Sequence, residues 1–333
     1  MNSFGKSFRV SVLGESHGNC VGVLIDGCPA GVSLTPEEFE ADLARRRAGA
    51  KGTTPRTEAD IPILQTGVFN GFTTGAPLLI LFPNANIRSG DYEELKRTPR
   101  PGHADFVAYE KFKGFQDYRG GGHFSGRLTV ALTAAGVIAK KVISPVTVSA
   151  SLDEVHGSTD IQREIELALG SGDSVGGIVS CTVSNVPTGL GEPFFDSVES
   201  LIAHGVFSIP AIKGVEFGAG FASARMFGSE CNDSIIDLSG ATATNHAGGI
   251  NGGITNGNQI TFRVAVKPTS SIRKERSTVN LDSGERVALS VGGRHDACIA
   301  LRVPPVLEGI TAVVLADLLI QEQRIPRVVK ADA

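Results

Sequence analysis

The chain has 333 residues, 41% hydrophobic and 20% charged, the balance of a water-soluble globular protein with ample core. Its formal net charge of −4 weighs against a general nucleic-acid binder, which would be basic overall. Five scattered cysteines without a C-x-x-C pair argue against a disulfide framework or a metal site. With no signal-peptide pattern and no apolar run near the roughly 18 residues of a membrane span, they point to a cytoplasmic, reducing setting.

In chain order, Phe8 to Leu13 reads as a strand running into the turn Gly14-Glu15-Ser16-His17-Gly18. His17 is a candidate general acid; the bland alternative is a histidine satisfied within the turn. Val21 to Ile25 is a second strand. Thr35-Pro36-Glu37-Glu38 marks a helix start, with Thr35 as N-cap, Pro36 in the first position and Glu38 completing a capping box. Phe39, Leu43 and Ala44 give that helix its apolar stripe, and it ends at Arg45-Arg46-Arg47. Followed by Lys51 and Arg56, the three arginines read as a mobile anion clamp, since guanidinium forks match phosphate and carboxylate geometry. Leu78 to Phe82 is an unbroken apolar run, hence a buried strand.

The stretch from Arg100 to Arg127 carries most of the chemistry-bearing residues. It holds His103, the glycine run Gly120 to Gly122, His123 and Ser125. A glycine turn feeding a helix offers free N–H groups to an anion. Leu128 to Ile143 is apolar nearly all round, so it belongs in the interior.

The second half echoes the first. Cys28-Pro29-Ala30-Gly31 returns as Val186-Pro187-Thr188-Gly189, and Gly71 to Gly75 as Gly253 to Gly257. The helix from Leu128 returns as the apolar stretch from Val306 to Ile320. These echoes predict an α+β fold: one pseudo-symmetric unit with halves of about 1–145 and 146–333, and central helices between antiparallel sheets. Such a duplication would set Arg127 and Arg294 on opposite walls of one cleft. Lys267-Pro268-Thr269-Ser270-Ser271 ends a strand with one cation and three hydroxyls, which suits a phosphate tail. Gly5-Lys6-Ser7 lacks the upstream glycine of a phosphate loop, and Ser223 breaks a dinucleotide pattern begun at Gly218 and Gly220.

In this order, GESHG (14–18), DLARRR (42–47), RPGHAD (100–105), YRGGG (118–122), NHAGGI (245–250), KPTSSI (267–272) and GRHD (293–296) resemble the chorismate synthase family over essentially the whole chain. The resemblance implies a carbon–oxygen lyase of the shikimate pathway. It would convert 5-enolpyruvylshikimate 3-phosphate to chorismate by 1,4-elimination of phosphate, with reduced FMN and no net redox change. It also implies a β-α-β sandwich and a homotetramer. By the same resemblance His17 protonates the departing phosphate, His103 serves the reduced flavin, and Asp296 removes the C6 hydrogen together with flavin N5. Arg46, Arg127 and Arg294 would bind the substrate. His123, Phe124, Ser125, Ala211, Gly252, Lys267, Pro268, Thr269, Ser270, Ser271 and Arg294 fall on flavin-contact positions.

The chain departs from the family pattern in places. His123-Phe124-Ser125 stands where many members have Arg-Ser-Ser, Pro210 where others have asparagine, and Gly52 where some have an arginine that Lys51 or Arg56 would replace. Some members reduce their own flavin with NADPH, so an NADPH-dependent flavin reductase is the competing enzyme reading. An anion- or RNA-binding scaffold is the non-enzymatic one.

Overall fold

The computed structural model describes residues 2–56, 58–87, 89–293 and 295–329. Among these, β1 (Ser3–Phe4), β2 (Arg9–Gly14), β3 (Cys20–Asp26), β4 (Ile63–Thr66) and β7 (Leu78–Pro83) form an antiparallel sheet in the order β1-β2-β3-β7-β4, while β5 (Val68–Phe69) and β6 (Phe72–Thr73) pair as a small hairpin. The helices of this half are α1 (Glu40–Arg46), α2 (Asp105–Phe112) and α3 (Thr129–Val142). In the second half, β8 (Thr147–Val155), β9 (Gly177–Ser184), β10 (Ile212–Phe217) and β13 (Ile260–Val266) form a second antiparallel sheet in the order β10-β13-β9-β8. Two hairpins accompany it, β11 (Ile250–Asn251) with β12 (Ile254–Thr255) and β14 (Arg276–Val279) with β15 (Arg286–Leu289). The remaining helices are α4 (Ile161–Ser171), α5 (Val198–Val206), the short α6 (Gly228–Cys231) and α7 (Pro304–Gln321).

Each sheet turns one face to the central helices. Leu78, Ile80 and Phe82 of β7 are buried, as are Ile260, Phe262, Val264 and Val266 of β13. Leu79 and Leu81 are only half-buried, so β7 is covered fully on one face rather than on both. The first turn of the predicted helix at Pro36 is a 3₁₀ turn that passes into α1, and Glu38 accepts from the Thr35 N–H at 2.7 Å. Cys28 and Cys181 sit in the core, where burial pushes each thiol up to about 12 and keeps it unreactive.

α3 and α7 meet at two glycines. A Cβ on Gly136 would stand 2.2 Å from the Gly309 Cα, so the helices can approach this closely only without side chains there. The duplication is legible at atomic detail in two turns. Thr73 Oγ1 donates to Pro29 O at 2.6 Å and accepts from Val32 N–H at 2.9 Å; Thr255 Oγ1 donates to Pro187 O at 2.7 Å and accepts from Leu190 N–H at 2.9 Å.

α7 is 18 residues long and apolar enough to cross a membrane by length and composition, yet 83% of it is buried within the fold. Its two carboxylates, which break the apolar run in sequence, are paired internally. Glu308 accepts from Arg45, Lys140 and the Ala150 N–H, and Asp317 accepts from the N–H groups of Lys6, Ser7 and Phe8.

Gly136→Ala should destabilise the fold by about 1–3 kcal/mol through overpacking. Gly170→Ala, whose Cβ would meet nothing within 4 Å in α4, should be neutral or gain up to about 1 kcal/mol. Urea unfolding midpoints of the two variants check both signs.

Candidate active site

A cavity of about 700 Å³ opens between the two halves, large among the roughly 300–1,000 Å³ of small-molecule sites. Arg46 at the end of α1 and Arg127 just before α3 line it, and both are more than nine-tenths buried. Asp60 lies between them: Arg46 Nη2 donates to its Oδ2 at 2.5 Å, and Arg127 Nη1 to its Oδ1. Asp60 holds φ at 51°, a left-handed conformation that costs a non-glycine residue energy and is tolerated where the surroundings fix it. Burial opposes charge on Asp60, but the two guanidiniums outweigh it and hold the carboxyl below its ordinary value of 3.8. Burial brings Arg46 down to about 10, against the attraction of Asp60, so it stays cationic at neutral pH. Arg46 Nε and Arg127 Nη2 are buried donors with no hydrogen-bond partner in the protein. Buried donors seldom go unpaired, so two of them on residues that line one cavity suit an anion.

The triple arginine is not a mobile clamp. Arg45 pairs with Glu308 at 2.7 Å and Arg47 with Glu40 at 2.6 Å, so two of the three guanidiniums are tied to carboxylates, although Arg47 Nε, like Arg46 Nε, is a buried donor without a partner. Gly52 lies at φ 92°, where a Cβ would stand 2.6 Å from Ile165, and its carbonyl accepts the N–H groups of Ala297 and Cys298. A side chain has no room at that position. Lys51 pairs with Glu166 instead, whereas Arg56 lines the cavity, bound to Glu58 and to the Ser16 hydroxyl.

The glycine run packs against both histidines. A Cβ on Gly120 would lie 2.0 Å from His17 Nδ1, and the Gly121 N–H is taken by Tyr118 O. His17 is buried, packed edge-on against Tyr92 at 5.2 Å. It stands behind the cavity wall that Gly120 and Tyr92 form. His103 lines the cavity directly, beside Asp105, Arg100 and Ser271. Asp296 also lines it, its Oδ1 accepting from the Thr54 N–H at 2.9 Å and from Arg302 at 3.3 Å. Its neighbour His295 donates from Nε2 to Gly292 O at 2.8 Å, and burial lowers its pKa although that hydrogen bond favours the charged ring.

The structure brings Lys267, Pro268, Thr269, Ser270, Ser271, Ala211, His123, Phe124 and Ser125 to the same cavity. Lys267 and Ser270 are tied to Gly102 O, which joins this segment to the His103 loop. Thr269 Oγ1 is a further buried atom with no hydrogen-bond partner. His123 bonds Gly14 O and Asn2 Oδ1, so it pins the glycine loop to the N-terminal strand. Gly252 does not join them; it sits between β11 and β12, away from the cavity lining. Arg294 lies outside the described residues. Asp60, Asp105 and Arg302 went unread in the sequence. Asp105 had a signal, since it closes the RPGHAD motif, but Asp60 is an isolated acid with none.

A family model described as "Chorismate synthase" matches residues 8–320. The chain is 66% identical to a chorismate synthase of Chitinophaga pinensis, over 99% of this chain and 100% of that protein. It is 45% identical to a chorismate synthase of Dehalococcoides mccartyi, covering 99% of each chain, and 46% identical to one of Aeropyrum pernix, covering 96% and 93%. A crystal structure of chorismate synthase shares the fold with a TM-score of 0.73 at 24% identity, over 96% of this chain and 93% of that one.

Asp60→Asn should destabilise the protein by about 3–5 kcal/mol, because it leaves two buried guanidiniums without a counter-charge. The depressed carboxyls Asp60 and Glu308 bind fewer protons folded than unfolded. Their contribution is therefore present above the ordinary carboxyl range and lost as pH falls below about 4. Unfolding free energies from pH 7 to 2 should decline along that path in the wild type, and less steeply in Asp60→Asn.

Proposed function

The chain belongs to the chorismate synthase family, and from that membership we infer that it is a carbon–oxygen lyase releasing phosphate from 5-enolpyruvylshikimate 3-phosphate to give chorismate, the last step of the shikimate pathway. The observation that supports this best is the pair of unpartnered buried donors, Arg46 Nε and Arg127 Nη2, on one cavity with His103 and Asp296. The substrate carries a phosphate and two carboxylates, and fixed cations in a site shielded from water stabilise a leaving anion without reorganising.

The residues present also fit a flavin. Thr269 Oγ1 lacks a protein partner, and Lys267, Ser270, Ser271, Ser125 and Ala211 share its cavity. When bound, reduced FMN supplies an electron-rich ring that lends electron density as phosphate leaves and recovers it as the C6 hydrogen departs. By family position His17 is assigned the proton that neutralises the leaving phosphate; it stands behind the lining residue Gly120, whose missing Cβ gives its Nδ1 edge room. His103 is assigned to the flavin side, where its ring meets the Arg100 and Ser271 segment. Asp296 is assigned the C6 hydrogen; Thr54 holds its Oδ1, while among the described residues Oδ2 has a long contact of 3.4 Å to Arg302. Arg294 completes the substrate-binding set by family position, and Gly252 and Arg294 the flavin set. NADPH is a candidate reductant. We read the chain as one duplicated unit, with halves of about 1–145 and 146–333, working in the cytoplasm as a homotetramer.

His17→Ala, His103→Ala and Asp296→Asn should each lower turnover by about 10²–10⁴-fold while FMN and substrate still bind. Phosphate release under anaerobic conditions and binding by calorimetry separate the two effects. Wild-type turnover in any one variant would remove that residue from the mechanism.

A further inference from the structure

Among the described residues, His103 is held through its Nδ1. Asp105 Oδ1 lies 2.5 Å from its Nδ1, and Arg100 Nη2 lies 3.0 Å from the same atom. Two ring states compete at this nitrogen. If Nδ1 were bare, Arg100 would donate to it, but its lone pair would then face a carboxylate oxygen at 2.5 Å. If Nδ1 carries hydrogen, it donates to Asp105, and Arg100 donates to the same carboxylate.

The surroundings favour the second state. Asp105 accepts from the Arg100 N–H at 3.1 Å, from Nε at 2.7 Å and from Nη2 at 2.8 Å. It is also the first residue of α2, where the helix dipole stabilises a negative charge. Burial disfavours that charge, but the Arg100 and His103 hydrogen bonds outweigh it and hold the carboxyl far below the usual carboxylate range. An ionised carboxylate has no hydrogen to give, so the contact needs one on Nδ1. The Cε1–Nε2 edge then runs past Gly121, where even a Cβ would stand 3.3–3.4 Å away. Arg100 Nη1 continues to Ser271 Oγ at 3.0 Å, so the same carboxylate indirectly fixes the segment carrying the proposed flavin contacts.

We propose that Asp105 is a positioning residue that fixes the tautomer and orientation of His103, keeping hydrogen on Nδ1 and leaving Nε2 as the nitrogen that gains and loses a proton. Its bearing on turnover rests on the His103 assignment made above; the tautomer itself does not. Carboxylate partners act in this way on catalytic and metal-binding imidazoles, and their loss commonly costs about 10–100-fold in activity.

The test is a long-range ¹H–¹⁵N correlation spectrum of the histidine rings in uniformly labelled protein, without flavin or substrate. His103→Gln identifies the His103 signals by their disappearance. In the wild type the neutral ring should show a protonated Nδ1 and a bare Nε2; the opposite tautomer overturns the proposal, with no variant required. Asp105→Asn keeps an oxygen for Arg100 but removes the charge. It should mix the two ring forms and lower kcat by about 10–100-fold with little change in KM. Lost turnover with unchanged His103 signals would mean that Asp105 serves folding alone, and overturns the proposal. Altered signals with normal turnover would support the tautomer assignment and instead remove His103 from the chemistry.

Discussion

Two buried guanidiniums share one carboxylate at the centre of this site. Arg46 and Arg127 both pair with Asp60, and all three are withdrawn from water. One positive charge is left over, and its field is weakly screened at such depth. Breaking a buried charge set by removing one partner is far more costly than the set is stabilising, so Asp60 is under strong constraint. It pays with a left-handed backbone. Unpartnered nitrogens remain on these cavity-lining arginines because a single carboxylate cannot satisfy two forks. The anion-binding character of the site therefore follows from a shortage of acid, as much as from the presence of arginine.

The fold brings those two arginines together. Arg46 ends a helix near the start of the chain and Arg127 opens the central helix α3, which packs on α7 at the Gly136–Gly309 contact. Glu308 of α7 takes Arg45 and Lys140, and so anchors α1 and α3 to the second half. Asp317, about two and a half turns on, holds the strand entry at Lys6 to Phe8. Charged groups inside a helix that could pass for a membrane span thus act as cross-links between the duplicated halves.

The strands β2, β3 and β7 and the helices α3 and α7 were legible because their apolar periods are local. The paired turns at Thr73 and Thr255 were visible as repeated short motifs, and the threonine that makes each turn is part of the motif. The arginine run was misread partly because one of its acids is remote: Glu308 lies 263 positions from Arg45, while Glu40, which pairs with Arg47, is nearby in α1. His103 and Asp296 stood out as titratable groups in glycine turns, whereas the carboxylate beside His103 looked like an ordinary helix start. Gly252 could not be placed from sequence alone, since its hairpin is outside the cavity lining of its own chain.

The central claim is that these residues carry out an elimination with no net redox change. The direct measurement is anaerobic: protein, dithionite-reduced FMN and 5-enolpyruvylshikimate 3-phosphate, with chorismate absorbance and phosphate release followed together, then the same mixture with oxidised FMN and NADPH. The account predicts chorismate and phosphate in equal amounts, with the flavin still reduced at the end. Folded, FMN-binding protein that oxidises NADPH but forms neither product would contradict it and leave a flavin reductase.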